Sequence, residues 1–280
     1  MKFSATLSVL VALAVAAVEA KGVHTDVLSV PNRHSRVSQR HADTSLESRA
    51  MAAGASKKLI NVQSSCPSNV GATKSVKATS GPNGSIKWLN CGIDRAGWTP
   101  PYVQVTDLVT MDLSAAIADP NSPFKACSDF VWLFEKYGGE YGIPPIMLAS
   151  FAMQESSCNP ATVGGAGEEG LMQLTSDKCT QAPGGNCQDP EYNIRTGAHY
   201  FSESLKANGG DVLKTIGEYN GWQPNMTYAD ATAAAHTDCC RCQKNLDYLH
   251  QFVNGWLRNI DAYTHRPRLG LYFNLDVCGN

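Results

Sequence analysis

Between Met147 and Cys179 an apolar run, MLASFAMQESS, ends on Glu155-Ser156 and passes into a glycine-rich turn, GGAGEEGLMQ. Pro144-Pro145 opens the run, and Pro145 suits the first turn of a helix, where its missing N–H costs nothing. Ile146, Ala149, Ala152 and Met153 recur at helical spacing, which predicts a helix to about Ser156. That helix carries a carboxylate at its end and little else that is charged. Partial burial there raises the pKa of Glu155 and holds its proton, the property a general acid needs. On its own, such a glutamate is more often an exposed helix end in an ion pair.

The flanking sequence repeats the helical pattern. Phe130, Val131, Phe134 and Tyr137 form an apolar face that Gly138-Gly139 is expected to end. Over 189–207 Asp189 reads as the cap and Pro190 as the first residue. Ile194, Ala198, Phe201 and Leu205 form the stripe, and Gly209-Gly210 the stop. Asp211 caps a further helix with Leu213 and Ile216 inward and Tyr219-Asn220 at its end. A last helix is expected over about 242–260, with Leu246, Leu249, Phe252, Val253 and Trp256 as core positions. Residues 59–123 differ. Short β-like runs, Ser85-Ile86-Lys87-Trp88-Leu89 and Tyr102-Val103-Gln104-Val105, are broken by Gly, Pro and Ser, and no catalytic constellation is visible. They read as an arm packed on the main domain. The fold class is therefore mainly α, with a small irregular or β part.

Leu7 to Ala17 form an apolar stretch behind Lys2, with Val18 and Ala20 at the small-residue positions of a cleavage site. Residues 1–20 read as a secretory signal peptide, too short and wrongly flanked for a membrane span. Ten cysteines in that context imply up to five disulfides. Cys66 and Cys91 are candidates for a local pair, and Cys179 and Cys187 are close enough to staple one loop. Cys239-Cys240-Arg241-Cys242 resembles a metal site only weakly, since no histidine pair stands at zinc-finger spacing. Asn83-Gly84-Ser85 and Asn225-Met226-Thr227 are glycosylation sequons, usable if exposed.

The formal net charge is −2, unevenly spread. Residues 21–58 carry +4 and the leader is neutral, which leaves −6 on 59–280. An acidic body is not drawn to nucleic acid, and lower pH would ease its approach to an anionic polymer. Residues 21–58 are polar, without periodicity, and read as a disordered linker or a propeptide, with Lys57-Lys58 a weak processing signal.

Glu155-Ser156, Gly170-Leu171-Met172-Gln173, Asn193-Ile194-Arg195-Thr196-Gly197 and Tyr219-Asn220, in this order and spacing, resemble the lytic transglycosylase and goose-type lysozyme family, glycoside hydrolase family 23. The resemblance covers roughly 124–225 and is specific as a set. It implies a lysozyme-like catalytic domain over 124–280 with a cleft and a single catalytic Glu155. Ser156 would orient the acid or the sugar, Gly170, Leu171, Met172 and Gln173 would form the cleft floor, and Tyr219 and Asn220 would stand near the acid. Asn193-Ile194 would be structural. Secretion, sequons and disulfides suggest a fungal-like branch.

The chain departs from goose-type lysozymes at the second carboxylate. They offer an aspartate two residues after the Met-Gln pair, where this chain has Thr175. Glu168, Glu169 and Asp177 are near in sequence but not at that place. Inverting hydrolysis needs such a base, whereas a lytic transglycosylase does not. The expected activity is therefore transglycosylase cleavage of the β-1,4 bond after N-acetylmuramic acid in peptidoglycan, by a secreted, extracellular monomer without metal or organic cofactor, nucleic-acid partner or membrane anchor. Alternatives are a hydrolytic lysozyme, a chitooligosaccharide-cleaving enzyme, and a non-catalytic secreted glycan-binding protein. A disulfide-rich interaction protein would need the cleft blocked by the 59–123 arm.

Overall fold

A computed structural model of the chain describes residues 59–279. The leader and the 21–58 segment lie outside the described residues. The fold is mainly α. Its one paired sheet among the described residues is a hairpin, β1 (Ser80–Gly81) against β2 (Gly84–Ser85). Helices α1 (Ile86–Leu89), α2 (Leu113–Ala118), α3 (Val131–Tyr141), α4 (Pro145–Ser156), α5 (Pro190–Ala207), α6 (Val212–Tyr219), α7 (Tyr228–Ala231) and α8 (Tyr248–His250) follow.

Helix α4 is the axis of the core. Every residue from Ile146 to Gln154 is buried, not only one face. Its run of apolar and small residues explains this, because a helix apolar all round has no face to give to water. Helix α3 packs both on α4 and on α5, and the Trp256–Arg258 turn packs on α4 as well. Phe151 is central, with Phe201, Tyr219 and Phe252 rings at 5.0, 4.3 and 4.5 Å.

Caps fall where expected. The Asp189 and Asp211 side chains accept from the Tyr192 and Lys214 N–H groups at the starts of α5 and α6. Helix α3, by contrast, does not end at Gly138-Gly139. It continues to Tyr141 and closes on Gly142 at φ 68°. Gly138 serves packing instead, since a Cβ there would stand 2.7 Å from the Ile143 carbonyl oxygen.

Two further expectations are corrected. Ile86–Leu89 is helical, and 102–105 forms no strand. The strands are the two-residue arms around Pro82-Asn83, too short for an alternating pattern to show. The last helix begins at Tyr248 rather than near 242 and is composite, with a π turn over Gln251–Gly255 and a 3-10 turn over Trp256–Arg258. Its expected core positions are all fully buried.

Residues 59–123 share the main core. Trp88, Leu89 and Trp98 are wholly buried in the same cluster as Phe151 and Phe252. The hairpin sits on the π turn: Asn83 N–H donates to Asn254 Oδ1 at 2.8 Å, and Asn254 Nδ2 returns a bond to the Gly84 carbonyl at 3.0 Å. The Asn83 amide also bonds Val109 and Val253. Fully buried, Asn83 cannot carry a glycan in the folded protein, whereas Asn225 is exposed.

Five disulfides join all ten cysteines: Cys66–Cys91, Cys127–Cys158, Cys179–Cys187, Cys239–Cys242 and Cys240–Cys278. The Cys239-Cys240-Arg241-Cys242 cluster therefore keeps no thiolate for a metal.

Candidate active site

Helix α4 ends abruptly. Ser157 and Cys158 turn left-handed at φ 53° and 58°, and their N–H groups close on the Met153 and Ala152 carbonyls. The Cys127–Cys158 disulfide pins this turn. Glu155 thus occupies the last turn of a buried helix, where the dipole's negative end disfavours a carboxylate.

Three tyrosines surround that carboxyl. Tyr248, at the start of α8, donates a hydrogen bond to Glu155 Oε1. Tyr219, the last residue of α6, donates to the Met172 carbonyl at 2.7 Å. Tyr263 donates to the Gln154 carbonyl at 2.6 Å. Burial raises the Glu155 pKa to about 7, the Tyr248 bond works against the rise, and the charge of Glu168 adds to it. The phenols of Tyr219 and Tyr248 are pushed well above their ordinary value, first by burial and then by the Glu155 charge, so they act as donors and not as anions. Glu155 itself keeps partial access to solvent.

The glycine-rich turn is tied to α4 by Ser156 and to α5 by Asn193. Ser156 Oγ donates to the Ala152 or Leu171 carbonyl, the latter at 2.8 Å, and so joins helix to turn. Asn193, wholly buried in α5, accepts from Met172 N–H at 2.8 Å and donates to the Glu169 and Cys187 carbonyls, both at 2.9 Å. Gly170, at φ 79°, lies so close to this amide that a Cβ would collide with it. Gln173, at φ 48°, uses its Nε2 for the Thr162 and Gly170 carbonyls, at 3.1 and 2.9 Å.

The structure thus brings Glu155, Ser156, Tyr219 and the 170–173 turn together. It gives several of them other partners than a sugar. The Leu171 and Met172 side chains are fully buried, Met172 against Gly197, where a Cβ would meet its sulfur at 2.7 Å. A sugar could meet these two residues only through their backbone. Asn220 caps α6 and accepts from Asn245 N–H at 3.0 Å. Sequence reasoning missed Tyr248 and Tyr263. Tyr248 stands among Leu246, Leu249 and Phe252 at core spacing, so its pattern matches a packing aromatic, and Tyr263 lies in no motif.

Of the acids near Thr175, only Glu168 acts on the Glu155 charge. Asp177 binds Thr175 and Lys178 at the surface, and Glu169 accepts from Gln188 at 3.3 Å.

Tyr248→Phe tests the electrostatics. The tyrosine bond favours the carboxylate, so its loss should raise the Glu155 pKa further and move the alkaline limb of the kcat/KM profile to higher pH. The shift should be on the order of half a unit to one unit. A limb that stays or moves to lower pH would show that this contact does not set the proton affinity.

Residues 132–236 match the family model described as Transglycosylase SLT domain. The chain is 37% identical over 79 residues to membrane-bound lytic murein transglycosylase F 1 of Alkalilimnicola ehrlichii, covering 28% of this chain and 16% of that protein. It is 37% identical over 82 residues to the transglycosylase of Enterobacteria phage PRD1, covering 29% and 31% respectively. It is 38% identical over 161 residues to membrane-bound lytic murein transglycosylase F of Haemophilus influenzae, covering 51% and 32%. The chain thus spans under a third of the length of each relative.

Proposed function

We propose that this chain, whose residues 132–236 belong to the SLT transglycosylase family, cleaves the β-1,4 bond between N-acetylmuramic acid and N-acetylglucosamine in peptidoglycan as a lytic transglycosylase. One observation carries the reading: Glu155, with a pKa raised to about 7 by burial, is held by the Tyr248 hydroxyl at the end of α4. Such a carboxyl is largely protonated at mildly acidic pH and can both give and regain a proton.

In the first step Glu155 protonates the departing glycosidic oxygen while the substrate's acetamido oxygen bonds to the anomeric carbon, and the carbon–oxygen bond to the leaving sugar breaks. In the second, the 6-hydroxyl oxygen of the same muramoyl residue attacks that carbon. The acetamido group leaves and the hydroxyl proton returns to Glu155. No water is consumed, and the product is a 1,6-anhydro sugar. An intramolecular hydroxyl has an effective molarity up to about 10⁵ M or more, which lets it outrun unassisted water. Ser156 and the backbone of 170–173 would set the position of acid and sugar.

Hydrolysis is the second reading, and Glu168 favours it, since its charge is felt at Glu155 and it could hold a water. Digestion of purified peptidoglycan in ¹⁸O-water separates the two. The transglycosylase gives a product one water lighter and unlabelled, and predominantly labelled reducing ends would install the hydrolase instead.

The site of action follows from the substrate: a secreted protein, released by its leader, meeting peptidoglycan outside the cell. Two of the relatives are named as membrane-bound. Among the described residues here, no helix is long and apolar enough to cross a membrane.

A further inference from the structure

The loop that follows α4 presents an unshared carboxylate beside Glu155. Residues 164–168 close on themselves: Gly164 N–H donates to the Glu168 carbonyl at 2.7 Å, and Gly167 N–H to the Gly164 carbonyl at 3.1 Å. The half-buried Glu168 side chain folds back over Gly164. A Cβ on Gly164 would collide with Glu168 Oε2 and stand 2.7 Å from Gln173 Oε1. Glycine at 164 therefore lets the carboxylate and the amide oxygen approach the same space.

This pair offers acceptors and no donor. Gln173 Nε2 serves the Thr162 and Gly170 carbonyls, which fixes the amide and leaves Oε1 without a donor among the described residues. Glu168 Oε2 accepts from Ala166 N–H at 3.2 Å, and the carboxylate forms no ion pair among the described residues. The charge of Glu168 is felt at Glu155, so the pair lies beside the acid. An ammonium would supply both the positive charge and the protons that the pair lacks. An acetamide brings one N–H and no charge.

The muramoyl acetamido group takes part in the first step and must stay acylated. On an alternating strand both neighbours of that residue are glucosamines, so an amine on either side of the cleaved sugar belongs to a glucosamine. We propose that Glu168 and Gln173 select peptidoglycan strands whose glucosamine next to the reacting muramoyl residue carries a free amine in place of its acetamide, the ammonium being held by the Glu168 carboxylate and Gln173 Oε1. This deepens the proposed function and rests on it for the cleavage. The −6 carried over 59–280 draws a cationic strand from a distance, and Glu168 adds the local choice.

The test uses the full-length protein and peptidoglycan strands before and after enzymatic de-N-acetylation of their glucosamine, at mildly acidic pH, where the amine is charged. Wild type should show a kcat/KM about tenfold higher on the deacetylated strands. Glu168→Gln, checked for an unaltered melting temperature, should bring that ratio close to one, and Glu168→Asp, which keeps the charge, should recover part of it. Asp129→Asn removes an equal charge from the exposed surface and should leave the ratio as in wild type. A wild type without the preference, a Glu168→Gln ratio within about twofold of wild type, or an equal fall in Asp129→Asn overturns the proposal. So does a Glu168→Gln variant that loses turnover on both strands alike, which would make Glu168 a holder of water.

A second measurement does not depend on cleavage. A tetrasaccharide of alternating glucosamine and N-acetylmuramic acid, and its fully N-acetylated form, are titrated calorimetrically against Glu155→Gln and Glu155→Gln/Glu168→Gln. The amine form should bind the single variant about tenfold tighter, an advantage lost in the double variant. Equal binding of the two forms to the single variant, or an advantage the double variant keeps, overturns the subsite whatever the activity. If wild type cleaves neither strand yet Glu155→Gln shows the preference, the transglycosylase reading fails and the subsite stands.

Discussion

Glu155→Gln is expected to lose at least about 10²-fold in rate and to melt higher than wild type at pH 8. The loss of rate follows from the missing proton, since the amide keeps the shape of the side chain and can still accept from Tyr248. The gain in stability follows from the raised pKa. Below the ordinary 4.5 the glutamate is protonated in both folded and unfolded chains. As the pH rises from there to about 7 the unfolded chain ionises first and the folded one resists. Stability is therefore lost across that window and the loss is complete above it.

A rise from 4.5 to about 7 is worth at most about 3.4 kcal/mol at 1.36 kcal/mol per unit. The residual solvent access of Glu155 argues for somewhat less. Glutamine does not titrate, so the variant's advantage should be larger at pH 8 than at pH 4 by about 1–3 kcal/mol, or several degrees. Paired thermal melts and rate measurements check both parts. A variant that keeps near wild-type activity removes Glu155 from the chemistry, and an advantage equal at both pH values removes the buried-acid account.

Asn193→Leu should be the most damaging single change away from the carboxyl. The volume is similar, but the buried Met172 N–H and Cys187 carbonyl would each lose their partner, and the part-buried Glu169 carbonyl would keep only the Leu174 N–H. Unpaired buried groups cost about 1–3 kcal/mol apiece, so a loss of about 3–5 kcal/mol is expected after relaxation. The 170–173 turn would shift with it, and kcat should fall along with stability. Urea unfolding gives the first quantity and initial rates the second. A loss below about 1 kcal/mol would mean that the turn is anchored elsewhere.

What was legible in the sequence was what local chemistry determines. Asp189, Pro190 and Asp211 announced their helices, because capping is a short-range bond. Pro145 and the uncharged run after it announced α4. Glu155, Ser156, Tyr219 and the 170–173 turn were readable as a set from the family resemblance, and the structure gathers them. Long-range geometry was not legible. Tyr248 reaches Glu155 across 93 residues, and nothing in its own neighbourhood distinguishes it from the core aromatics beside it. Gly138 looked like a stop, but it is spaced for the Ile143 carbonyl, a contact made only once the chain has turned back. Gln173 was expected in the cleft floor, and the fold spends its amide on the turn itself.

The hairpin seated on the π turn bears on how such a protein can be cut or recombined. The family match closes at residue 236, before Tyr248 and Tyr263. Asn83 and Gly81, far upstream, press on Asn254, four residues after the helical turn that aims Tyr248. A cassette excised at the family borders would carry the acid without its hydroxyl partner and Phe151 without the Phe252 ring beside it. A portable unit must therefore reach from the hairpin at Ser80–Ser85 to beyond Tyr263. Chimeras between relatives should exchange the glycine-rich turn within that frame, and keep the hairpin and the π turn from one parent.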